Sequence, residues 1–155
     1  MISAFTGKYE FLSNFYEREL TFDGIKYPTA EHAFQAQKTP RVELRRRIAE
    51  EPTPGKAKRA GRSLRLRDDW EDAKLRVMRD ILAVKFSDRT LKAKLISTHP
   101  EDLIEGNHWG DTFWGATQIS RFGMPIWEGP DYILYGHNHL GKLLMKLRDH
   151  LIDYG

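Results

Sequence analysis

The chain has no cysteine. Disulfides, zinc held by thiolates and cysteine nucleophiles are therefore excluded, and the composition suits a cytoplasmic protein. No apolar run approaches the ~20 residues that a membrane-spanning helix needs, so no membrane partner is expected. The first residues, MISAFTGKYEF, lack the basic start and apolar stretch of a secretion signal. The segment EHAFQ lacks the four-residue histidine spacing of a zinc helix, and the His-Asn-His of GHNHLG brings no further ligands with it. Walker loop, dinucleotide glycine fingerprint and nucleophile elbow are all missing. No metal and no cofactor is expected. Nor does one sign of charge dominate: 25 Lys and Arg stand against 22 Asp and Glu, a net +3. That balance admits a phosphate-bearing partner but falls short of a protein that coats nucleic acid.

What is present suits one soluble domain over residues 1–155. The hydrophobic fraction is 40% and the charged fraction 30%, enough for a core and too apolar for disorder. Asp23-Gly24 inside TFDGIKY signals a hairpin. Thr29 caps a helix that runs to about Lys38. VELRRRIA reads as a second helix. In EPTPGKAKRAGR, Thr53 is a cap, Pro54 sits in the first turn and Gly61 is the terminator. DDWEDAKLRVMRDILAVKF has apolar residues at helical spacing from Trp70 to Val84, capped by Asp68 or Asp69. DRTLKAKLIST follows, with Leu91 and Leu95 inward. DLIE is a candidate strand. A loop rich in glycine and aromatics runs from Gly106 to about His137, with a strand pair expected in MPIWEGPDYILYG. NHLGKLLMKLRDHLIDY is the last helix. The expected fold is mainly α, of the α+β class: a compact helical domain with a small antiparallel sheet.

Three groups of residues could carry chemistry. Glu31 lies in the first turn of its helix, where the dipole favours a carboxylate, and capping is the favoured reading of the residues alone. Yet Ala30, Ala33, Phe34 and Ala36 predict a helix buried over much of its surface, and a buried carboxylate must be paired or used. Lys38 lies seven residues further on, two turns along the same face. The second group is EGNHWGDTFWG: two tryptophans, a phenylalanine and three glycines beside Asp111, with Glu105 ahead of them. Rings beside a carboxylate point to stacking on a base; the alternative is an aromatic loop closed by an Asp111 turn. The third is the basic run GKAKRAGRSLRLR. Most of it reads as a solvated face, and Arg62 is the residue most expected to turn inward.

Taken in order, FLSNF, YPTAEHAFQAQK, AGR, the tryptophan of DDWEDAK, DLIE, DTFWG and NHLGKLLMKLR resemble the NADAR superfamily, the YbiA-like N-glycosidases, over nearly the whole chain. The resemblance implies a compact, mainly helical domain tied to NAD and ADP-ribose metabolism. Some members hydrolyse the N-glycosidic bond of phosphorylated riboflavin-pathway intermediates; others release ADP-ribose from modified guanine in nucleic acid. Carried over, it implies Glu31 and Asp111 as catalytic residues. It implies Lys38, Arg62, Trp70, Glu105, Trp114 and Asn138 as substrate contacts, with Gly141 beside the last; Asn14 and Trp109 are further candidate substrate contacts. The chain departs from the family pattern after Gly115, where Ala116-Thr117 replace an acid and a glycine and a longer stretch leads to Asn138.

The chemistry fits independently. Breaking a ribosyl C–N bond builds positive charge at the anomeric carbon, which calls for a carboxylate, an activated water and help for the departing base. The substrate expected is an ADP-ribose-containing or phosphorylated riboside, with nucleic acid as the partner that carries it. A non-catalytic ADP-ribose reader is the rival from another class. It would keep rings and phosphate donors but have no use for Glu31.

Overall fold

Tight turns and capped helices account for most of the architecture. The computed structural model describes residues 1–120 and 132–155, and these group into two compact units. One holds Asn14–Ala93 and the other Met1–Ser13 with Lys94–Gly155.

In the Asn14–Ala93 unit, β1 (Leu20–Phe22) and β2 (Ile25–Tyr27) form an antiparallel hairpin. Asp23 and Gly24 both have positive φ, 49° and 81°, as a two-residue turn matched to strand twist requires. Four helices follow: α1 (Ala30–Ala36), α2 (Val42–Ala49), α3 (Pro54–Arg62) and α4 (Trp70–Lys85). Thr29 and Thr53 cap α1 and α3 with their hydroxyls, as expected. Every residue of α1 is buried, and α2, α3, α4 and β2 all pack on it. Its alanines at 30, 33 and 36 let those neighbours approach closely. α4 buries Trp70, Ala73, Val77, Met78, Ile81 and Leu82.

The details differ from expectation in three places. α1 stops at Ala36, so Lys38 lies just beyond it. Gly61 is inside α3 and does not terminate it; Ser63 is the C-cap. Asp69 stands at the N-cap of α4 but makes no capping bond, because its carboxylate takes Arg67 instead.

α5 (Arg89–Ser97) buries Leu91 and Leu95. In the other unit a 3-10 turn spans Gly7–Leu12. DLIE is not a strand: Leu103 forms only an isolated parallel bridge to Ile2. The expected loop after it instead holds β3 (Gly106–Asn107), β4 (Ala116–Ser120) and β5 (Tyr132–Tyr135), parallel between β3 and β4 and antiparallel between β4 and β5. Short strands of mixed polarity give little alternation to read. The expected strand pair in MPIWEGPDYILYG begins outside the described residues; its described end is β5. α6 (His139–Tyr154) buries Leu140, Gly141, Leu144 and Arg148 on one face. Helix dominates and the sheets are small, as the composition and spacing predict. No described helix is long and apolar enough to cross a membrane.

Candidate active site

The Asn14–Ala93 unit holds five of the expected residues, Asn14, Glu31, Lys38, Arg62 and Trp70. Glu31 is 7% exposed. Its N–H donates to the Asn14 carbonyl at 3.0 Å, and its Oε1 accepts the Gln35 Nε2–H at 2.8 Å. Its neighbour His32 takes no part. Nε2 faces the Glu51 carbonyl at 2.9 Å and must carry the proton, which leaves Nδ1 to accept the Thr29 hydroxyl at 2.7 Å. Burial holds the His32 pKa below the usual value, so this imidazole is a neutral strut.

Lys38 is half-buried. Burial lowers its pKa, the Glu31 carboxylate works against that, and Arg62 and Lys58 on α3 lower it further. One carboxylate and two further cations therefore act on Lys38. Lys38 sits in place because its carbonyl accepts the Arg67 N–H at 2.8 Å, which ties the end of α1 to the chain beyond α3. Arg62, expected to turn inward, is instead exposed at the last position of α3. Trp70 is 5% exposed and packs its ring on Phe34, with centroids 5.2 Å apart. Asn14 is buried, with its amide donating to Met78 Sδ.

Because Lys38 loses its proton earlier than a free lysine, a phosphate ligand should bind it less well as pH rises into the range below the ordinary lysine value. Lys38→Arg should abolish that dependence, since a guanidinium keeps its charge throughout. Calorimetric titration with pyrophosphate across the alkaline range measures both; equal pH dependence in the two proteins would remove Lys38 from phosphate binding. The folded state holds its Lys38 proton less tightly than the unfolded chain. Lys38 therefore costs stability below its folded pKa, and the cost is relieved as pH rises toward the unfolded value.

The other expected residues belong to the second unit. Asp111 Oδ1 accepts the N–H groups of Phe113 and Trp114 at 3.1 and 3.0 Å, so it does close a turn. Trp114 is half-buried, edge-on to Phe113 at 4.8 Å. Trp109 is 63% exposed, its ring edge-on to His108. Asn138 stands in the left-handed region at φ 52°. Its Oδ1 accepts the Glu105 N–H at 3.0 Å and its Nδ2 donates to the Leu103 carbonyl at 2.9 Å. Backbone N–H groups from His137 to Leu140 bond the carbonyls of Thr112 to Gly115. The aromatic loop thus caps the start of α6.

Two residues escaped sequence reasoning. Gln35, one turn after Glu31, was legible as an i,i+4 partner. Asn107 is 3% exposed. Its Oδ1 accepts the N–H groups of Trp109, Gly110 and Asp111, each at 3.2 Å, and its Nδ2 donates to the Asp111 carbonyl at 2.9 Å. An asparagine just ahead of Trp-Gly is a turn signal that could have revealed it.

Net charge hides a strong asymmetry. Residues 38–67 contain eleven Lys and Arg against three Glu, so the rest of the chain carries 14 against 19. Arg45 and Arg67 are spent on Asp23 and Asp69. Lys56, Lys58, Arg59, Arg62 and Arg65 form no ion pair among the described residues.

Comparison with known proteins gives concordant matches. A family model described as the NADAR domain matches residues 4–152. The N-glycosidase YbiA of Escherichia coli (strain K12) is 37% identical over 142 residues, covering 90% of this chain and 79% of that protein. A riboflavin biosynthesis protein of Vibrio vulnificus (strain YJ016) is 34% identical over 147 residues, 93% of this chain and 36% of that protein. The NMR structure of the E. coli protein YbiA superposes with a TM-score of 0.75 at 34% identity, covering 99% of this chain and 88% of that one.

Proposed function

Because the chain belongs to the NADAR domain family, we propose that it is an N-glycosidase that hydrolyses a ribosyl C–N bond in a phosphate-bearing substrate. The observation that carries this reading is Glu31: a carboxylate 7% exposed, held by Gln35 and acting on Lys38, which Lys58 and Arg62 also influence. The cations suit phosphate, and the carboxylate suits the positive charge that grows at the anomeric carbon as the base departs. Water adds its hydroxyl to that carbon, and its proton goes with the leaving base. Asp111 keeps its assignment as second carboxylate and Trp114 as stacking ring on the resemblance alone.

The substrate we favour is ADP-ribose joined to guanine in nucleic acid. What supports it is the row of unpaired cations on α3 and just beyond, more than one small riboside can engage. A phosphorylated riboflavin-pathway intermediate is the second reading, favoured by the Vibrio relative named for riboflavin biosynthesis. The test is competition between an ADP-ribosylated guanine oligonucleotide and the riboflavin intermediate at two salt concentrations. Oligonucleotide turnover should dominate. With about five phosphate contacts on a single strand, raising salt about four-fold should weaken binding on the order of 100-fold by counterion release. Efficient turnover of the riboflavin intermediate, with none of the oligonucleotide, would overturn the first reading in favour of the second.

A further inference from the structure

Glu31 is held by Gln35, one turn further along α1. Gln35 is 3% exposed. A carboxylate can only accept, so the Gln35 atom facing Glu31 must be the NH2 group. That leaves the Gln35 Oε1 pointing the other way, where it has no hydrogen bond among the described residues. What it meets there is Gly61 of α3. A Cβ built on Gly61 would overlap Oε1 and lie 2.7 Å from Cδ and 3.0 Å from Cβ of Gln35. Leaving a buried carbonyl unbonded costs stability, and an apolar side chain of this size would pack without that cost. The amide is therefore accounted for by its donor and not by its packing. Gly61 in turn is a helical residue with ordinary φ, so its lack of a side chain serves close approach and not backbone freedom.

We propose that Gln35 is a positioning residue for Glu31, and that the bare backbone of Gly61 is what allows Gln35 to hold that place. The proposal rests on the N-glycosidase reading only for its effect on rate. Among the described residues, the Glu31 charge acts on Lys38 beyond the end of α1, as do Lys58 and Arg62 from α3. α2 directs Arg45 to Asp23 and to the Thr39 carbonyl. α4 meets α1 through the Trp70 ring on Phe34. The Gln35 donor bonds Glu31 Oε1 directly.

The test is the titration of the Glu31 carboxyl, followed by carbon-13 NMR in wild type, Gln35→Met, Gly61→Ala and Gly55→Ala. Gln35→Met fills a similar volume with no donor. Gly61→Ala changes no polar group but crowds Gln35. Gly55→Ala makes the same change in the same helix where the nearest atom, Thr53 Oγ1, is 4.0 Å from the new Cβ. A donor favours the ionised carboxylate, so its loss should raise the Glu31 midpoint by about one pH unit in Gln35→Met. Gly61→Ala should move it the same way, and Gly55→Ala should not move it. An unchanged midpoint in Gln35→Met overturns the role of Gln35; an unchanged midpoint in Gly61→Ala alone overturns that of Gly61. The titration needs no substrate, so it decides the proposal even if no riboside is cleaved. Where turnover is seen, the acid limb of kcat/KM should shift with the midpoint. A midpoint that moves while the limb stays would uphold the positioning and remove Glu31 from the rate.

Discussion

Glu31→Gln should lower kcat by about 100- to 10,000-fold, the usual loss when a positioned carboxylate leaves a proton-transfer or charge-stabilising role, and leave the fold in place. The substitution keeps the volume of the side chain. Oε1 of the new amide can still accept from Gln35, and the backbone bond to the Asn14 carbonyl is unaffected. Only the negative charge is lost. That charge also opposes the lowering of the Lys38 pKa, so the variant should release the Lys38 proton at still lower pH. Substrate binding is therefore to be compared across a range of pH, so that a change in the Lys38 charge is separated from the loss at Glu31. Near-normal binding with lost turnover is the expected result. Wild-type turnover in a folded Gln variant would refute the catalytic role, and a large drop in Tm with activity retained would reduce Glu31 to a helix cap.

Asn107→Ala should destabilise the protein by about 2 to 4 kcal/mol, which lowers Tm by roughly 4 to 16 °C in a domain of this size. The side chain takes three backbone N–H groups on one oxygen and gives its own N–H to the Asp111 carbonyl. Three backbone groups lose their partner together when it is cut to a methyl group, and the Gly110 N–H is left with the Thr117 hydroxyl alone. The space is closed to rearrangement: a Cβ on Gly115 would already lie 2.9 Å from Asn107 Nδ2. Asp111 and Trp114 depend on this turn for their placement, so tryptophan fluorescence should change along with Tm. Asn107→Asp keeps the acceptor and loses the donor, and should cost less. Melting curves of the two variants, read beside the emission spectra, check the ranking. A Tm for Asn107→Ala equal to wild type would show that the loop is held by other means.

The sequence by itself determined the features whose causes lie within a few residues. Asp23-Gly24 specifies a hairpin because only left-handed φ values close it. Thr29 and Thr53 start helices because a hydroxyl three residues ahead satisfies an orphan N–H. α4 and α6 were legible from one apolar face. The ordered motifs were enough to place the chain in its family, whereas the expected single helix from Glu31 to Lys38 ends at Ala36, short of the lysine. Tertiary structure decided what depends on residues far apart in the chain. Arg67 ties down the carbonyl of the half-buried Lys38, and the Arg62 charge acts on Lys38 because α3 packs on α1. Gly61 reads as a stop signal in sequence, and only the packing of α3 against Gln35 shows it to be a point of close approach. The strands β3 to β5 stayed hidden inside an aromatic loop because pairing between distant short segments leaves no periodic trace. Asn107 looked like one loop residue among several, since convergence of three N–H groups on a single oxygen is a property of the folded turn.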